Sequence, residues 1–423
     1  MDPLPARVPS SPESAAGPVR TPDRIVALDV LRGAAVLGIL VINIQSFAMV
    51  FAAYMNPTAH ASLEGAHYWV WYFSHLLADQ KFMTIFSMLF GAGILLMADR
   101  QEAVGRRAAG VHFRRMAALL VFGLLHAYLF WYGDILVLYA VCGSLAFLFR
   151  RKSPRSLIII GMAVVAVSSL LSLAGGLSMS RMPELDRAAL ERDFAPPPDK
   201  VAEEVAHYRG GWLRQMEHRI PKALEFHTFI FLVWGVWRAG GLMLIGMGLF
   251  KLGVFSAARS RAFYASLTAL GILVGLPVVM FGIRLNEQAD WDVGYSFFFG
   301  VQFNYWASLL VSLAWVALVM LACRSPRLER LTQPLAAVGR MAFTNYILQT
   351  ILCTTLFYGH GLGLFGSVER VGQMGIVLAV WVLQLVVSPL WLRHFRYGPL
   401  EWLWRTLTYW RPVPFRSPAA QGA

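Results

Sequence analysis

The sequence predicts an all-α polytopic membrane protein of about ten transmembrane helices, with both termini in the cytoplasm. Of its 423 residues, 57% are hydrophobic and only 14% are charged, whereas a soluble domain carries about 25% charged residues. Ten stretches approach the roughly 20 apolar residues that cross a bilayer core of about 30 Å as a helix. Arginine and lysine clusters occur in alternate connecting loops, as the positive-inside rule requires.

The predicted spans form one long transmembrane domain between two short tails. We expect residues 1–23, which contain six prolines, to form a disordered cytoplasmic tail, because they lack the features of a signal peptide. Residues 24–411 are expected to form a single transmembrane domain and residues 412–423 a flexible tail. In chain order, the ten predicted spans are residues 33–51, 82–98, 116–131, 135–149, 157–179, 226–250, 262–285, 297–322, 335–358 and 371–392.

The distribution of basic residues predicts the orientation of the spans. Loops 99–115 and 150–155 each carry several Arg or Lys residues, whereas loops 52–66 and 132–134 carry none. Basic clusters also follow predicted spans 6, 8 and 10. Residues 181–225 are polar and near neutral, and we expect them to form an extracytoplasmic loop because long loops translocate regardless of charge. The net charge of +13 is therefore explained by membrane orientation, and no nucleic-acid partner is expected.

The sequence contains no recognised metal, nucleotide or cofactor motif. Its three cysteines lie in apolar stretches without Cys-x-x-Cys spacing, and neither HExxH nor a P-loop is present. We expect no metal and no resident cofactor. The expected partners are the lipid bilayer and a small-molecule or lipid substrate, and the sequence leaves the oligomeric state open.

The start of span 1 is predicted to carry a polar face. At about 100° per residue, Arg32 and Asn43 both lie within about 60° of Asp29 on a helix, so the three share one face about 21 Å long. Polar groups within membrane spans are costly, and they mark either a functional site or a pairing partner. The face is therefore interpreted either as a salt bridge with Asn43 as an interhelical hydrogen-bonding group, or as the polar wall of a cavity.

His126 is the candidate general base, because a neutral imidazole can accept a proton and a carboxylate can orient it. Asp134 lies about 12 Å further along if both residues belong to one helix, which would prevent direct pairing. We therefore expect Asp134 to cap span 4, where the helix dipole favours an anion. The alternative for His126 is a packing role on an apolar helix.

Two cations lie in or beside predicted spans. Lys81 at the start of span 2 is expected to extend its ammonium group to the membrane interface. Arg238 within span 6 needs a partner or a water-filled cavity if it is inside the membrane. The favoured interpretation is that span 6 begins near Ala239, which would leave Arg238 at the outer boundary.

The last two spans are predicted to carry further polar groups. Asn345, Gln349 and Cys353 recur every four residues and form one stripe, which we expect to face other helices or water. Glu401 and Arg405 have the i,i+4 spacing of a helical ion pair. The Trp-rich helix that holds them is predicted to lie on the inner leaflet.

Several motifs resemble the YeiB-like family of bacterial inner-membrane proteins, a domain of unknown function. The similarity runs from about residue 24 to residue 411. It implies a polytopic inner-membrane protein without implying an activity. The motifs are LDVLRG at 28–33 with Asn43, FSMLFGAG at 86–93, His126 with GDIL at 133–136, residues 339–346 with Gln349, and GPLEWLWR at 398–405.

The start of span 1 also resembles the first helix of membrane acyltransferases, which include the lysosomal heparan glucosaminide acetyltransferase and bacterial O-acyltransferases. The shared feature is Asp29-x-x-Arg32 followed by glycine, with Asn43 downstream. The resemblance implies transfer of an acyl group from cytoplasmic coenzyme A to an acceptor on the far side of the membrane. Those proteins carry a catalytic His on the loop after the first helix. In this chain that loop contains His60 and His67 without the same placement.

We therefore expect a protein of the bacterial inner membrane that transfers an acyl group from cytoplasmic acyl-CoA, its donor substrate, to an envelope acceptor. A transporter or flippase-like carrier is the alternative, and a scaffold without activity is a third interpretation. The polar residues are expected to converge around one hydrated pocket. In that site His126, Asn43 and Asp29 are candidate catalytic residues, Arg32, Arg340, Asn345 and Gln349 are candidate binding residues, and Asp134, Glu401 and Arg405 are expected to be structural.

Overall fold

A computed structural model of the protein describes residues 25–417. The predicted N-terminal tail and residues 418–423 lie outside the described part. Within it, the secondary structure is helical, and the described residues form no strand beyond an isolated antiparallel bridge between Phe395 and Arg416. The predicted fold class, an all-α polytopic membrane protein, is confirmed.

Within residues 25–417, eight helices are long and apolar enough to cross a membrane, and two shorter apolar helices complete a set that corresponds to the ten predicted spans. We number these ten helices spans 1 to 10 in chain order. The long helices are Val26–Ala48 (span 1), Gly65–Glu102 (2), Ala108–Phe130 (3), Pro154–Arg181 (5), Trp212–Lys251 (6), Arg261–Gln288 (7), Val293–Cys323 (8) and Arg370–His394 (10), and the shorter ones are Leu136–Phe149 (4) and Ala342–Phe357 (9).

Several spans depart from regular α-helix. Span 2 consists of the helices Gly65–Leu77 and Lys81–Ala103, joined by a break at which Gln80 has φ 62°. Predicted span 9 began at residue 335, but the structure divides that stretch between an amphipathic helix, Glu329–Arg340, and span 9 itself. π-Helical stretches, which often occur at functional sites, interrupt spans 3, 6, 7 and 8 at His126–Phe130, Phe226–Gly235, Gly271–Gly275 and Ser296–Gly300.

The loops rich in basic residues lie together at one end of the bundle, which we call the basic end. Arg150 pairs with Glu102, and its carbonyl accepts a hydrogen bond from Lys251. These contacts join three loops that the charge pattern assigned to the cytoplasm. Further contacts join Arg324 to Arg259, Arg340 to Arg396, and Arg114 to Thr408.

The loops poor in basic residues meet at the opposite end, which we call the cap end. Residues 181–225 cover this end with the helices Glu184–Phe194 and Pro198–Arg209 and with the start of span 6. Their contacts with neighbouring loops include Asn56 Nδ2 donating to the Phe194 carbonyl, Arg209 to that of Phe365 and Arg219 to that of Phe130.

Glycines allow the helix backbones to approach closely. A Cβ atom at Gly33 would lie 2.0 Å from the Leu335 carbonyl oxygen, and one at Gly339 would lie 1.8 Å from that of Asp29. Span 1 and the helix Glu329–Arg340 therefore cross at two facing glycines. Gly91 of the FSMLFGAG motif lies against the backbone of Met243 in span 6.

The helix Pro399–Tyr409 packs against span 3 at the basic end. Trp404 Nε1 donates to the Arg115 carbonyl oxygen, and the Arg115 guanidinium lies 4.5 Å from the Trp404 ring centroid. Residues 412–417 of the predicted tail are described by the structure. Within them, the Phe415 carbonyl accepts from Arg396 N, and Ser417 N donates to the His394 carbonyl.

Candidate functional site

A buried chain of three side chains lies between spans 3, 4 and 9. The His126 Nδ1 atom lies 2.7 Å from Asp134 Oδ1, and His126 Nε2 lies 2.9 Å from Thr350 Oγ1. A neutral imidazole that donates its Nδ1–H to an ionised Asp134 carboxylate leaves Nε2 to accept from the Thr350 hydroxyl. In that tautomer the imidazole can take a proton from a hydroxyl group.

The local fold explains how residues eight positions apart pair directly. The regular helix of span 3 ends at Leu125, and a π-helical turn begins at His126. The chain then leaves the helix at the extended residue Trp131, which brings Asp134 back over the imidazole. The second carboxylate oxygen of Asp134 accepts from Val137 N at 2.8 Å and caps span 4. Asp134 thus caps a helix, as expected, and also orients the histidine.

The three side chains are enclosed by aromatic rings. Exposed fractions are 3% for His126, 7% for Asp134 and 1% for Thr350. The Tyr346 ring lies 5.3 Å and the Trp131 ring 6.3 Å from the imidazole centroid. In such a water-poor environment, hydrogen bonds and charges interact more strongly than in bulk water.

Asp29 and Arg32 pair at the basic end of span 1, whereas His126 lies in span 3. Arg32 Nη1 lies 3.0 Å from Asp29 Oδ1, and the Arg32 side chain is 30% exposed. Asn43 is half-buried further along span 1. The structure thus forms the predicted salt bridge, and the His126–Asp134–Thr350 contacts do not include it.

The Asn345 stripe belongs to an amide network between spans 9, 10 and 1. Asn345 Nδ2 donates to Ser388 Oγ at 3.0 Å, and Gln349 Nε2 donates to Gln384 Oε1 at 3.0 Å and to the Val36 carbonyl at 3.3 Å. Gln384 Nε2 donates in turn to the Asn345 carbonyl. Asn345 and Gln349 face spans 10 and 1, whereas Thr350 on the same helix faces His126 in span 3. The structure therefore does not gather all predicted site residues into one pocket.

Glu401 caps the N-terminus of span 9. Its Oε1 atom accepts from the backbone N–H of Phe343 at 2.7 Å and Thr344 at 3.2 Å, and its Oε2 accepts from Thr344 Oγ1 at 2.6 Å. Burial raises the pKa of the Glu401 carboxyl group. Arg405 places its guanidinium 4.2 Å from the Tyr397 ring centroid. Arg340 donates to the Arg396 carbonyl at 3.4 Å.

The predicted exposure of Lys81 is wrong. The residue is 0% exposed, because its ammonium group donates to the His75 carbonyl at 2.8 Å and to Asn304 Oδ1 at 2.5 Å. Asn304 Nδ2 donates to Asp79 at 2.8 Å, and that carboxylate also lies 3.2 Å from His75 Nδ1. A single amide thus links a buried cation to a carboxylate at the break in span 2.

The predicted boundary position of Arg238 is also wrong. Span 6 begins well before Ala239, and Arg238 is 0% exposed inside the bundle. Its guanidinium donates to the Tyr305 carbonyl at 2.8 Å, Ser308 Oγ at 2.6 Å and Thr84 Oγ1 at 3.1 Å. Neutral oxygens from spans 2 and 8 therefore bind both terminal nitrogens of this cation, whereas its Nε has no hydrogen-bond partner among the described residues.

Sequence reasoning missed Thr350 and Asn304. Thr350 follows Gln349 in an apolar helix and carries no motif of its own, and its importance comes only from facing His126. Asn304 is an amide within predicted span 8, and a polar residue in an apolar span is a signal that sequence reasoning could have used. Among residues 25–417, no group of His, Cys, Asp or Glu side chains is arranged to hold a metal ion.

Comparisons with known proteins place the chain in a family. Residues 249–411 match the family described as "Protein of unknown function (DUF418)". The chain is 34% identical over 395 residues to the uncharacterized protein YeiB of Escherichia coli K12, covering 91% of this chain and 96% of YeiB. It is 32% identical over 421 residues to the uncharacterized protein YxaH of Bacillus subtilis 168, covering 94% and 97% respectively. The chain therefore belongs to the YeiB-like DUF418 family.

Proposed function

We propose that this DUF418 protein is an acyltransferase of the bacterial cytoplasmic membrane, with both termini in the cytoplasm. In this proposal it transfers an acyl group from cytoplasmic acyl-CoA to a hydroxyl group of an envelope acceptor. The observation that carries the proposal is the Asp134–His126–Thr350 chain, in which a carboxylate-oriented imidazole faces a hydroxyl at 2.9 Å. A general base for acyl transfer acts at about 2.6–3.2 Å from the oxygen whose proton it removes, or through one water.

His126 acts as the general base of the proposed reaction. Asp134 fixes the tautomer and stabilises the imidazolium ion that forms when Nε2 takes a proton. General base catalysis of this kind contributes about 10²- to 10⁴-fold in rate. Positioning both groups on the π-helical turn and the cap of span 4 limits their reorganisation during the reaction.

The other predicted residues have proposed supporting roles. Arg32 and Arg340 lie near the basic end, where their guanidinium groups would bind the phosphates of coenzyme A. Asn43 would line the path of the acyl group, and the Asp29 carboxylate would hold Arg32 in place. Since the Asn345 and Gln349 amides already have partners in span 10, we propose that they brace the wall of this path and set the spacing of spans 9 and 10.

Acyl-group analysis tests the proposed function. A bacterial strain that lacks the gene would be complemented with the wild-type gene or with His126→Gln, and the ester-linked acyl groups of its envelope lipids and glycans would be compared. We expect an acylated species to depend on the wild-type gene and to be lost in the variant. Purified wild-type protein should also release thiol from acetyl-CoA or palmitoyl-CoA. Unchanged profiles, together with no thiol release, would contradict acyl transfer.

His112→Gln provides a matched control for His126→Gln. His112 is also a fully buried histidine of span 3. Its Nε2 atom lies 3.1 Å from the Gly143 carbonyl, and its ring stacks on Phe147 at 4.3 Å, so it has a structural environment without a carboxylate. Loss of a buried histidine alone would affect both variants equally, whereas a catalytic role affects only His126→Gln.

The buried cations favour a second candidate function, a transporter or flippase-like carrier. Lys81 and Arg238 lie inside the bundle next to the break in span 2, and interrupted helices with buried charges are typical of substrate sites in carriers. Proteoliposomes would be screened for uptake of small anions and for lipid translocation, with wild-type protein and Lys81→Met. Uptake by the wild-type protein that Lys81→Met lacks at a temperature where both are folded, without thiol release from acyl-CoA, would favour this function.

A further inference from the structure

We propose that Thr350 is the nucleophile of the site and carries the acyl group as an ester between two half-reactions. This inference rests on the proposed acyltransferase function and names its covalent intermediate. It follows from the order of the contacts, in which a hydroxyl, an imidazole and a carboxylate are joined at 2.9 Å and 2.7 Å. The same order of groups activates the serine nucleophile of Ser-His-Asp acyl-transfer enzymes.

The Thr350 hydroxyl bonds to an imidazole nitrogen of another helix, whereas hydroxyls such as those of Ser169 and Ser312 donate across the bundle to oxygen atoms. A buried Thr or Ser within a helix usually bonds a carbonyl of the preceding turn. Thr354, one turn later in span 9, donates in this way to the Ile351 carbonyl at 3.3 Å, and Ser144 donates to the Ala140 carbonyl. Thr350 instead directs its hydroxyl across the bundle to His126 Nε2. The hydroxyl is therefore placed for proton loss.

The Trp131 ring lies 6.3 Å from the imidazole centroid, and we assign its indole N–H as the donor to the transition-state oxyanion. The Trp131 indole is 2% exposed, and its Nε1–H has no hydrogen-bond partner among the described residues. A buried donor without an acceptor is costly and calls for an explanation. An acyl carbonyl bound beside Thr350 would supply the acceptor, and the hydrogen bond would strengthen as negative charge develops on the oxygen.

The first half-reaction begins with the Thr350 Oγ1–H group. His126 Nε2 takes its proton while Oγ1 attacks the carbonyl carbon of the acyl-CoA thioester. The C–S bond then breaks, and the departing sulfur takes the proton from His126 to give coenzyme A thiol and an ester at Thr350. In the second half-reaction the acceptor hydroxyl gives its proton to His126 and attacks this ester. The C–O bond to Thr350 breaks, and its oxygen regains the proton.

Detection of the ester tests the inference without knowledge of the acceptor. Full-length wild-type protein in lipid nanodiscs would be incubated with acetyl-CoA or palmitoyl-CoA, quenched in acid, digested and examined by mass spectrometry. We expect one acyl group on the peptide that contains Thr350, stable to neutral hydroxylamine, because an oxygen ester resists it. An adduct on the nearby thiol of Cys353 would be removed by that treatment.

Three variants separate a nucleophile from a residue that only orients His126. Thr350→Val keeps the branched shape without the hydroxyl, Thr350→Ser keeps the hydroxyl, and Thr354→Val is the matched control. We expect the adduct in Thr350→Ser and Thr354→Val, and its loss in Thr350→Val together with a decrease of about 100-fold or more in thiol release. Thiol release that needs His126 but proceeds normally in Thr350→Val, without an adduct, would overturn this inference and leave the proposed function standing. No thiol release from folded wild-type protein would overturn both.

Discussion

At the scale of single residues, Asp134 connects helix capping to the orientation of the candidate base. One carboxylate oxygen binds His126 and the other accepts from Val137 N. The sequence indicated the capping role, because the dipole of span 4 favours an acidic residue at its N-terminus. It could not indicate the second role, since the pairing depends on the π-helical turn that redirects the chain after Leu125.

We predict that Asp134→Asn lowers the rate of thiol release from acyl-CoA by about two to four orders of magnitude. The amide oxygen can still cap span 4, but the amide nitrogen would donate to His126 Nδ1 and force the proton onto Nε2. That tautomer cannot take a proton from Thr350. The rate would be measured together with the melting temperature in detergent. A rate within about twofold of the wild-type value would contradict the assigned role.

At the scale of helices, the sequence predicted polar faces but not the helices that meet them. The stripe of Asn345 and Gln349 was visible from its period of four, yet its partners Gln384 and Ser388 lie in span 10. A helical period identifies which residues share a face, and it contains no information about the neighbour. For the same reason, Lys81 was expected at the interface although Asn304 in span 8 holds it inside.

We predict that Lys81→Met destabilises the protein by about 3–5 kcal/mol, because removing one member of a buried polar set leaves its partners unsatisfied. The double variant Lys81→Met/Asp79→Asn should recover part of this loss, since it also removes the carboxylate charge that the missing cation no longer balances. Thermal unfolding in one detergent would measure both. Lys200→Met is the matched control, because Lys200 forms a solvent-exposed pair with Glu203, and such pairs contribute little to stability. Equal effects in Lys81→Met and Lys200→Met would contradict the buried network.

Helix crossings provide a second prediction at this scale. We expect Gly33→Ala to destabilise the protein by about 1–3 kcal/mol, since the new Cβ would meet the Leu335 carbonyl at 2.0 Å and force the helices apart. Gly93→Ala is the control, because a Cβ there meets nothing within 4 Å. Alanine should favour the helix at Gly93 by up to about 1 kcal/mol. Melting temperatures that shift in the same direction for both variants would count against the close crossing.

At the scale of the whole molecule, hydropathy predicted ten helices but could not predict how those helices are arranged. Leu273 in span 7 is 73% exposed on the outside of the bundle, whereas Met243 in span 6 is fully buried. Both residues are apolar, because lipid and protein interior select the same side chains. The sequence therefore indicates which segments enter the membrane without indicating which of them are central.

The charge pattern makes the orientation testable. The structure brings the basic loops to one end and residues 181–225 to the other, and the positive-inside rule assigns the basic end to the cytoplasm. Glu203 and Arg151 mark the two ends with side chains that are 55% and 77% exposed. Of the native cysteines, Cys142 and Cys353 are buried, and only the half-buried Cys323 needs replacement by serine.

We predict that Glu203→Cys, in the Cys323→Ser background, reacts with a membrane-impermeant maleimide added to intact spheroplasts. Arg151→Cys should react only after the membrane is permeabilised, because the positive-inside rule assigns its loop to the cytoplasm. The parent Cys323→Ser protein should remain unlabelled throughout. Labelling of Arg151→Cys alone in intact spheroplasts would reverse the orientation and place the proposed phosphate-binding arginines outside the cell. Acyl-CoA is cytoplasmic, so that result would also remove the proposed route of the donor to His126.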